Sequence, residues 1–513
     1  MPREFLAAID AGTTGCRTII FSIDGGLVSQ AYEEHPSAYP SPSWVEQNAR
    51  DWWRAVCSTS KVAMKKAKIK PDEIRGISVT NQRETIVPVN ALGEPLRTAI
   101  VWQDRRTVDE CSQITAKIGA EKIYSATGLT VDPYFSAPKI LWIKRNQSEL
   151  FSKTYKFLLV HDYITMKLSD QFVTEHSNAS RTMLFDIRKM DWSDTICGEL
   201  EIQKEKMPTL YPPGKRIGEV TKRASGETGF AAHTPVITGA GDQQAAALGV
   251  GVTETGRVKA TTGTGTFILA FLNEPKYDSK RRVLCSCHAV PGKWVNEASI
   301  FTTGAVYRWF RDQFAQAEKI EAERSGKDPY DLLNDQAARV PAGSRGVMLI
   351  PHCMGSGAPH WNPYDRGVMF GFTIGHEKGC IVRAIMEGTA FEIRENISVM
   401  KEIGTDIREI RVTGGATRSS IWNQIQSDVT NLPVLKGPLE EATAVGAAIL
   451  AGVGVGIYKG VVEAADLMVR ITERYTPDKE NSTLYSKLFD IYERTYQALS
   501  KEKIFPELSA LQP

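Results

Sequence analysis

Cysteine is scarce: 8 residues in a chain of 513. That is too few for a small disulfide-stapled domain and argues for a reducing compartment. Charge of one sign is also missing. Lys plus Arg number 62 and Asp plus Glu 60, a formal net charge of +2, so no basic field marks a nucleic-acid or membrane partner. Long apolar runs are absent too. The longest uncharged one, Ala442 to Tyr458, carries four glycines and one threonine, and a membrane span takes about 20 apolar residues. It reads as a buried glycine-rich helix and turn. The start, Met1-Pro2-Arg3-Glu4-Phe5, has no signal-peptide core. A cytoplasmic protein is expected, with no nucleic-acid or membrane partner. Composition is that of a soluble globular enzyme, with 42% hydrophobic and 24% charged residues.

Strands alternate with helices, which argues for α/β architecture. Phe5 to Ile9 and Arg17 to Ile23 read as two strands around the turn Ala11-Gly12-Thr13-Thr14-Gly15. A helix is expected near Asn48 to Ala67 and a strand near Gly76 to Thr80. The same sentence recurs about 250 residues on: Pro235 to Thr238 runs into Gly239-Ala240-Gly241-Asp242, and Arg257 to Thr262, Gly263-Thr264-Gly265 and Thr266 to Ala270 form another glycine hairpin. Two related α/β domains, 1–250 and 251–513, facing each other across a cleft, are expected. Near the end, Ile410 and Val412 lead into Gly414-Gly415, with Ser419 or Ser420 as the cap of a following helix.

Several residue sets are suited to chemistry. Asp10 ends a strand beside a turn of N–H and hydroxyl donors, Thr13 and Thr14. Such a turn cradles anions, and the carboxylate suits hydrated magnesium. The bland alternative is an Asx-type turn. Arg17 lies within reach of a phosphate. Asp242, at another strand end, is either a proton acceptor for an alcohol or a helix cap. Arg83-Glu84 offers a donor and an acceptor to a small polyhydroxy ligand, or else a solvated surface pair. Trp102 and Asp132-Pro133-Tyr134-Phe135 supply aromatic faces for a carbon chain, or merely fill a core. Cys285-Ser286-Cys287-His288 lacks a second pair at zinc spacing. Lys65-Lys66 and Arg105-Arg106 read as solvated faces.

Taken in order, these motifs resemble the FGGY carbohydrate kinases of the sugar kinase, heat-shock ATPase and actin superfamily, over nearly the whole length. Tyr134-Phe135-Ser136-Ala137-Pro138-Lys139-Ile140-Leu141-Trp142-Ile143 is similar to the first family signature. Arg366 to Gly371 with Arg383 to Gly388 is similar to the second, and Glu441 to Ala448 to a late helix of the family. Within the family the first half is most similar to the glycerol kinases, through Asn81 to Thr85, Val101 to Arg106, Val131 to Ser136 and Gly241 to Ala246. The second half differs: the stretch Thr413 to Ser419 has Thr and Ser where glycerol kinases usually carry Asp and Asn, Arg308 stands where a Gln often contacts the nucleotide, and Phe301 to Phe314 is closer to xylulokinases or autoinducer kinases.

The resemblance implies two actin-like, ribonuclease H-like domains, the first on the acceptor side and the second on the nucleotide side. It implies ATP and Mg²⁺, with ATP-dependent phosphorylation of a small polyol, glycerol to glycerol 3-phosphate being the expected reaction. A pentulose, tetritol or autoinducer kinase is the alternative. It implies an acceptor site of Arg83, Glu84, Tyr134, Asp242 and Gln243, walled by Trp102, with Asp242 as base. Nucleotide contacts are implied at Thr13, Thr14, Arg17, Thr264, Gly304 and Gly415, and Ser419, beyond the double glycine, is placed with them. Asp10 and Asp242 are the magnesium candidates. A homodimer or higher homo-oligomer is expected. A nucleotide-gated chaperone or a non-catalytic sugar-binding regulator would leave Arg83, Glu84, Trp102 and Tyr134, or Asp10 and Asp242, without a purpose.

Overall fold

The computed structural model describes residues 4–438 and 441–511. Two mixed sheets organise it, and both repeat one plan. In the first, Leu27–Glu34, Gly15–Ser22 and Phe5–Ala11 form an antiparallel meander. Ile74–Asn81 and Pro235–Gly241 then continue it in parallel, and Arg216–Glu219 closes the edge antiparallel. In the second, Trp294–Ile300, Thr266–Leu272 and Gly256–Thr262 form the meander. Ile407–Thr413 and Val434–Lys436 add in parallel, and Glu473–Tyr475 closes the edge. The extra strand Leu284–Cys287 extends the other side. The expected hairpins therefore occupy equivalent places in two equivalent sheets.

The Ala49–Ala67 helix covers the first hairpin. The Asn48 side chain caps it by accepting from the Arg50 N–H at 3.1 Å. Trp52, Trp53, Val56, Ala63 and Met64 recur at helical spacing and are buried.

The two sheets meet through a pair of small-residue helices. Asp242–Gly249 follows the last parallel strand of the first sheet, yet touches Thr266–Leu272 of the second. Ala442–Gly454, the glycine-rich run of the sequence, comes from the second half and packs on Phe5–Ala11, Ile74–Asn81 and Pro235–Gly241 of the first sheet. One core joins Leu6, Ala8 and Phe21 to Leu269, Phe271 and Val295 through the alanines of both helices. At the crossing the backbones nearly touch. A Cβ on Gly249 would lie 1.8 Å from the Ala442 carbonyl oxygen, and one on Gly446 would lie 1.9 Å from that of Ala245. Only hydrogen fits there. Among the described residues no helix is long and apolar enough to cross a membrane.

Arg105-Arg106 departs from its expected solvated face. Arg105 is exposed and pairs with Asp132, but the Arg106 side chain is 1% exposed. Its guanidinium lies 3.7 Å from the Trp44 ring centre and pairs with Asp104 and Glu46. An aromatic face and two carboxylates compensate the loss of water.

Gly446→Ala should destabilise the protein by about 1–3 kcal/mol or more, because backbone rather than a flexible side chain must move. Gly460→Ala, where a Cβ meets nothing within 4 Å, should not. Thermal melts of the two variants make the comparison; equal melting points would show that the crossing relaxes at little cost.

Candidate active site

The carboxyl ends of Phe5–Ala11, Ile74–Asn81 and Pro235–Gly241 in the first sheet and of Gly256–Thr262 in the second converge on one cleft, the usual place for a ligand in an α/β sheet. Its volume is about 480 Å³. The turn after Phe5–Ala11 brings Thr13 and Thr14. The end of Ile74–Asn81 brings Arg83 and Glu84, and the end of Pro235–Gly241 brings Asp242 and Gln243. The turn after Gly256–Thr262 brings Thr264, and Trp102, Tyr134, Phe301 and Trp361 add aromatic wall.

Arg83 and Glu84 are not a solvated pair: they are 3% and 1% exposed. Arg83 grips Glu297 of the second sheet with both ends of its guanidinium, Nη1 to Oε2 at 2.9 Å and Nη2 to Oε1 at 2.8 Å. Its Nε lies 3.3 Å from Asp242 Oδ1. Glu84, held at a left-handed φ of 63°, accepts from Arg181 Nε at 2.6 Å, and Arg181 Nη1 reaches Glu297 at 3.2 Å. Two cations and two anions thus balance in a dry cluster, with Asp242 on its rim, its side chain 30% exposed. Burial alone would raise the Glu297 carboxyl, but Arg181 and Arg83 overcome it and hold it down to about 2. For Glu84 burial outweighs the same two cations, and its carboxyl titrates above the usual range. A non-glycine residue held at positive φ is strained backbone, which persists where its surroundings over-determine it.

Asp242 opens the Asp242–Gly249 helix as its first residue, with Gly241 at the cap position. Its Oδ1 accepts from the Gln243 N–H, one residue on, at 2.7 Å; a cap bonds the second or third N–H of its helix, so Asp242 is not the helix cap, and its carboxylate lines the cleft. Tyr134 sits edge-on to Trp102, with ring centres 5.5 Å apart, and 5.5 Å from the Arg181 guanidinium. Its turn is fastened from below. Lys139, wholly buried, donates to the carbonyls of Pro133, Tyr134 and Phe135 at 2.6–2.9 Å. Burial, opposed by Glu84 and Asp104, pushes its ammonium down to about 7.

The two hairpin turns are tied into place. Trp102 Nε1 donates to Thr13 Oγ1 at 3.0 Å, and Gln47 Nε2 to the Thr13 carbonyl at 2.7 Å. On the other side the N–H groups of Thr303, Gly304 and Ala305 donate to the carbonyls of Gly263 and Thr264 at 3.0–3.1 Å, seating the turn on the start of the Gly304–Phe314 helix. Asp10, Arg17, Gly304, Gly415 and Ser419 lie outside the cleft lining. Burial and the nearby Asp242 raise the Asp10 carboxyl to about 7. Arg17 pairs with Glu441 and lies beside the Tyr32 ring. Gly415 is exposed, and the Ser419 hydroxyl caps the Ser420–Thr430 helix. Among the described residues no group of three or more His, Cys, Asp or Glu is placed to hold a metal ion.

Sequence reasoning missed Arg181, Glu297 and Lys259. Lys259 is buried in the Gly256–Thr262 strand and donates to Gln243 Oε1 at 2.6 Å. The two strand residues did leave a signal: Val258-Lys259-Ala260 and Asn296-Glu297-Ala298 each set one charge inside a strand with little room for it. A charge there needs a partner.

The chain matches the N-terminal domain of the FGGY family of carbohydrate kinases over residues 5–249 and the C-terminal domain of that family over 258–455. It is 36% identical over 498 residues to glycerol kinase 2 of Thermotoga maritima, covering 94% of this chain and 97% of that one. It is 37% identical over 494 residues to glycerol kinase 2 of Saccharolobus solfataricus, covering 94% and 93%. Among solved structures, xylulose kinase from Rhodospirillum rubrum superposes with a TM-score of 0.88 at 27% identity, covering 97% of this chain and 99% of that one. Plasmodium falciparum glycerol kinase with ADP superposes with a TM-score of 0.86 at 26% identity, covering 96% and 98%.

Glu297→Gln leaves two buried cations short of one anion, so its melting point at neutral pH should fall steeply, by the equivalent of about 3–5 kcal/mol. The depressed carboxyl also has a pH signature. Its stabilisation is whole above the ordinary value of 4.5 and drains as pH falls toward about 2. Melting points taken from about pH 5 to about pH 3 should therefore fall less in Glu297→Gln than in the wild type. Parallel curves would detach Glu297 from acid unfolding.

Proposed function

We propose that this chain, which belongs to the FGGY family of carbohydrate kinases and is an ATP-dependent carbohydrate kinase, phosphorylates glycerol to glycerol 3-phosphate. The observation that carries the reading is the meeting of Arg83, Glu84, Tyr134, Asp242 and Gln243 with the hydroxyl-bearing turns of Thr13, Thr14 and Thr264 in a single cleft. Resemblance to curated glycerol kinases along nearly the whole chain supports it.

In this reading residues 1–250 carry the acceptor and 251–513 carry most of the nucleotide contacts. Trp102 and Tyr134 pack against the carbon side of the triol, and polar groups at Arg83, Glu84, Asp242 and Gln243 meet its hydroxyls. Asp242 orients the reacting hydroxyl and takes its proton as the bond to the γ-phosphorus forms. Arg83 Nε, 3.3 Å from Asp242, holds that carboxylate against the acceptor. Phosphoryl transfer has a loose transition state, so positioning and charge neutralisation supply most of the rate. Donors on the turns at Thr13 and Thr264 face the phosphates, Arg17 is the cation that reaches a phosphate, and Gly304, Gly415 and Ser419 contact the rest of the nucleotide.

Magnesium fits two carboxylates and no cage. Magnesium keeps several waters and takes one or two carboxylates together with substrate phosphates. The raised Asp10 carboxyl, pushed by burial and by Asp242, is a repulsion that a divalent cation relieves. Asp10 and Asp242 would hold it, and it would supply neutralisation of phosphate charge.

A pentulose acceptor is the second reading, favoured by the likeness to a solved xylulose kinase. An acceptor panel of glycerol, erythritol, xylulose and ribulose separates the two. The highest kcat/KM is expected for glycerol, and a clear preference for a ketopentose would move the assignment to the second reading. Asp242→Asn should lower kcat by about 10²–10⁴-fold with ATP affinity largely kept. Turnover near wild type would remove Asp242 from the base role.

A further inference from the structure

Lys259 occupies the middle of the Gly256–Thr262 strand, whose far end makes the Gly263–Gly265 turn. It is wholly buried. Its ammonium reaches across to the other half of the chain, donating to Gln243 Oε1 at 2.6 Å and to the Gln243 carbonyl at 3.3 Å. An ammonium has three donors and no acceptor. It therefore accepts only one orientation of the Gln243 carboxamide, oxygen toward Lys259, which is a chemical assignment of oxygen and nitrogen where shape alone leaves them interchangeable. Gln243 lines the cleft beside Asp242. With its oxygen turned to Lys259, the group Gln243 can turn to a ligand is its NH₂.

We propose that Lys259 is a positioning residue that sets acceptor specificity: by holding the Gln243 oxygen it makes Gln243 a donor toward the acceptor, so the site selects a molecule with a hydroxyl or carbonyl oxygen next to the hydroxyl that faces Asp242. This rests on the acceptor reading above. The two neighbours then make opposite demands. Asp242 as a carboxylate accepts a proton, and Gln243 gives a hydrogen bond. A carboxamide free to turn would also offer its oxygen, and the two residues would compete for the same hydroxyl proton. The arrangement further ties the acceptor helix to the strand that carries the Thr264 turn. A lysine in this place is costly: burial pushes its ammonium down to about 7 against the pull of Asp242 and Glu297. An apolar side chain of the same length would pack there without that cost.

The test uses Lys259→Met, which fills the place of the lysine stem as far as Cε and removes the ammonium, and Gln243→Glu, which keeps a partner for Lys259 but replaces the NH₂ donors with an oxygen. Steady-state kinetics are run at about pH 6, below the value to which burial pushes Lys259 so that it is an ammonium, with the best acceptor of the wild-type panel and with its deoxy analogues, propane-1,2-diol and propane-1,3-diol if that acceptor is glycerol. Lys259→Met should raise the acceptor KM about tenfold, the size expected for losing one well-placed hydrogen bond, with the KM for ATP nearly unchanged. The loss should vanish with the analogue that lacks the oxygen read by Gln243. Gln243→Glu should lose at least as much acceptor affinity while melting no lower than the wild type. An equal loss of kcat/KM for every acceptor and analogue in Lys259→Met overturns the proposal, since a general packing defect does not distinguish them. So does a Gln243→Glu enzyme with the wild-type acceptor KM, and that arm decides alone if Lys259→Met does not fold. A wild type that phosphorylates no polyol in the panel overturns the acceptor reading itself, a result distinct from either of these.

Discussion

The crossing of two small-residue helices governs the rest of the molecule. Asp242–Gly249 and Ala442–Gly454 approach until backbone meets backbone at Gly249 and Gly446. Each helix leaves one half of the chain and packs toward the sheet of the other. Close packing of alanine and glycine leaves little freedom to slide, because one added methylene is felt. The relative place of the two sheets follows, and so does the cleft between their strand ends. Asp242 is the first residue of one of these helices, so the residue given the central chemical role sits at the end of the element that joins the halves.

The second constraint is electrostatic. Arg83, Arg181, Glu84 and Glu297 are taken out of water together, and desolvation of four charges is expensive. Hydrophobic residues of similar volume would fold at least as well there by that account. What the cluster gives instead is direction. A guanidinium that must meet Glu297 with a planar fork has one orientation, and its Nε is thereby turned to Asp242. Arg181 does the same for Glu84 and lies against the Tyr134 and Phe135 rings. Lys139 completes the set by collecting three carbonyls of the Pro133–Phe135 turn. Three buried cations hold the polar wall of the cleft, and their cost is offset by hydrogen bonds that leave few alternative arrangements.

The two turns that flank the cleft show a parallel economy. Each comes from a hairpin in an equivalent position of its sheet, and each is braced by hydrogen bonds from outside the hairpin, Trp102 and Gln47 on one side and the start of the Gly304–Phe314 helix on the other. Such bracing keeps the donors of both turns oriented before a ligand arrives, which lowers the ordering that binding must supply.

Much of the fold was legible because it depends on local chemistry. Alternating apolar residues around small-residue turns specify the two hairpins, Ser419 caps its helix as a serine there is suited to do, and the run Ala442 to Tyr458 reads from its glycines as a buried helix and turn. Strand ends at Asp10, Arg83 and Asp242 are local features too, and the structure brings Arg83 and Asp242 into one cleft with Thr13, Trp102, Tyr134 and Thr264. Pairing was not legible. Arg83 and Glu297 are separated by 214 positions and Arg181 and Glu297 by 116, and no periodicity connects them. Arg106, read as solvated, is buried for the same reason, since Trp44, Glu46 and Asp104 reach it only when the chain folds back. Hydrophobic pattern and turn chemistry act over a few residues, so they settle from local residues which elements form and which polar groups stand at their ends. Desolvation acts on whatever the packed elements enclose, so packing alone sets which charges lose water, which partners compensate them and where the Gln243 oxygen is held.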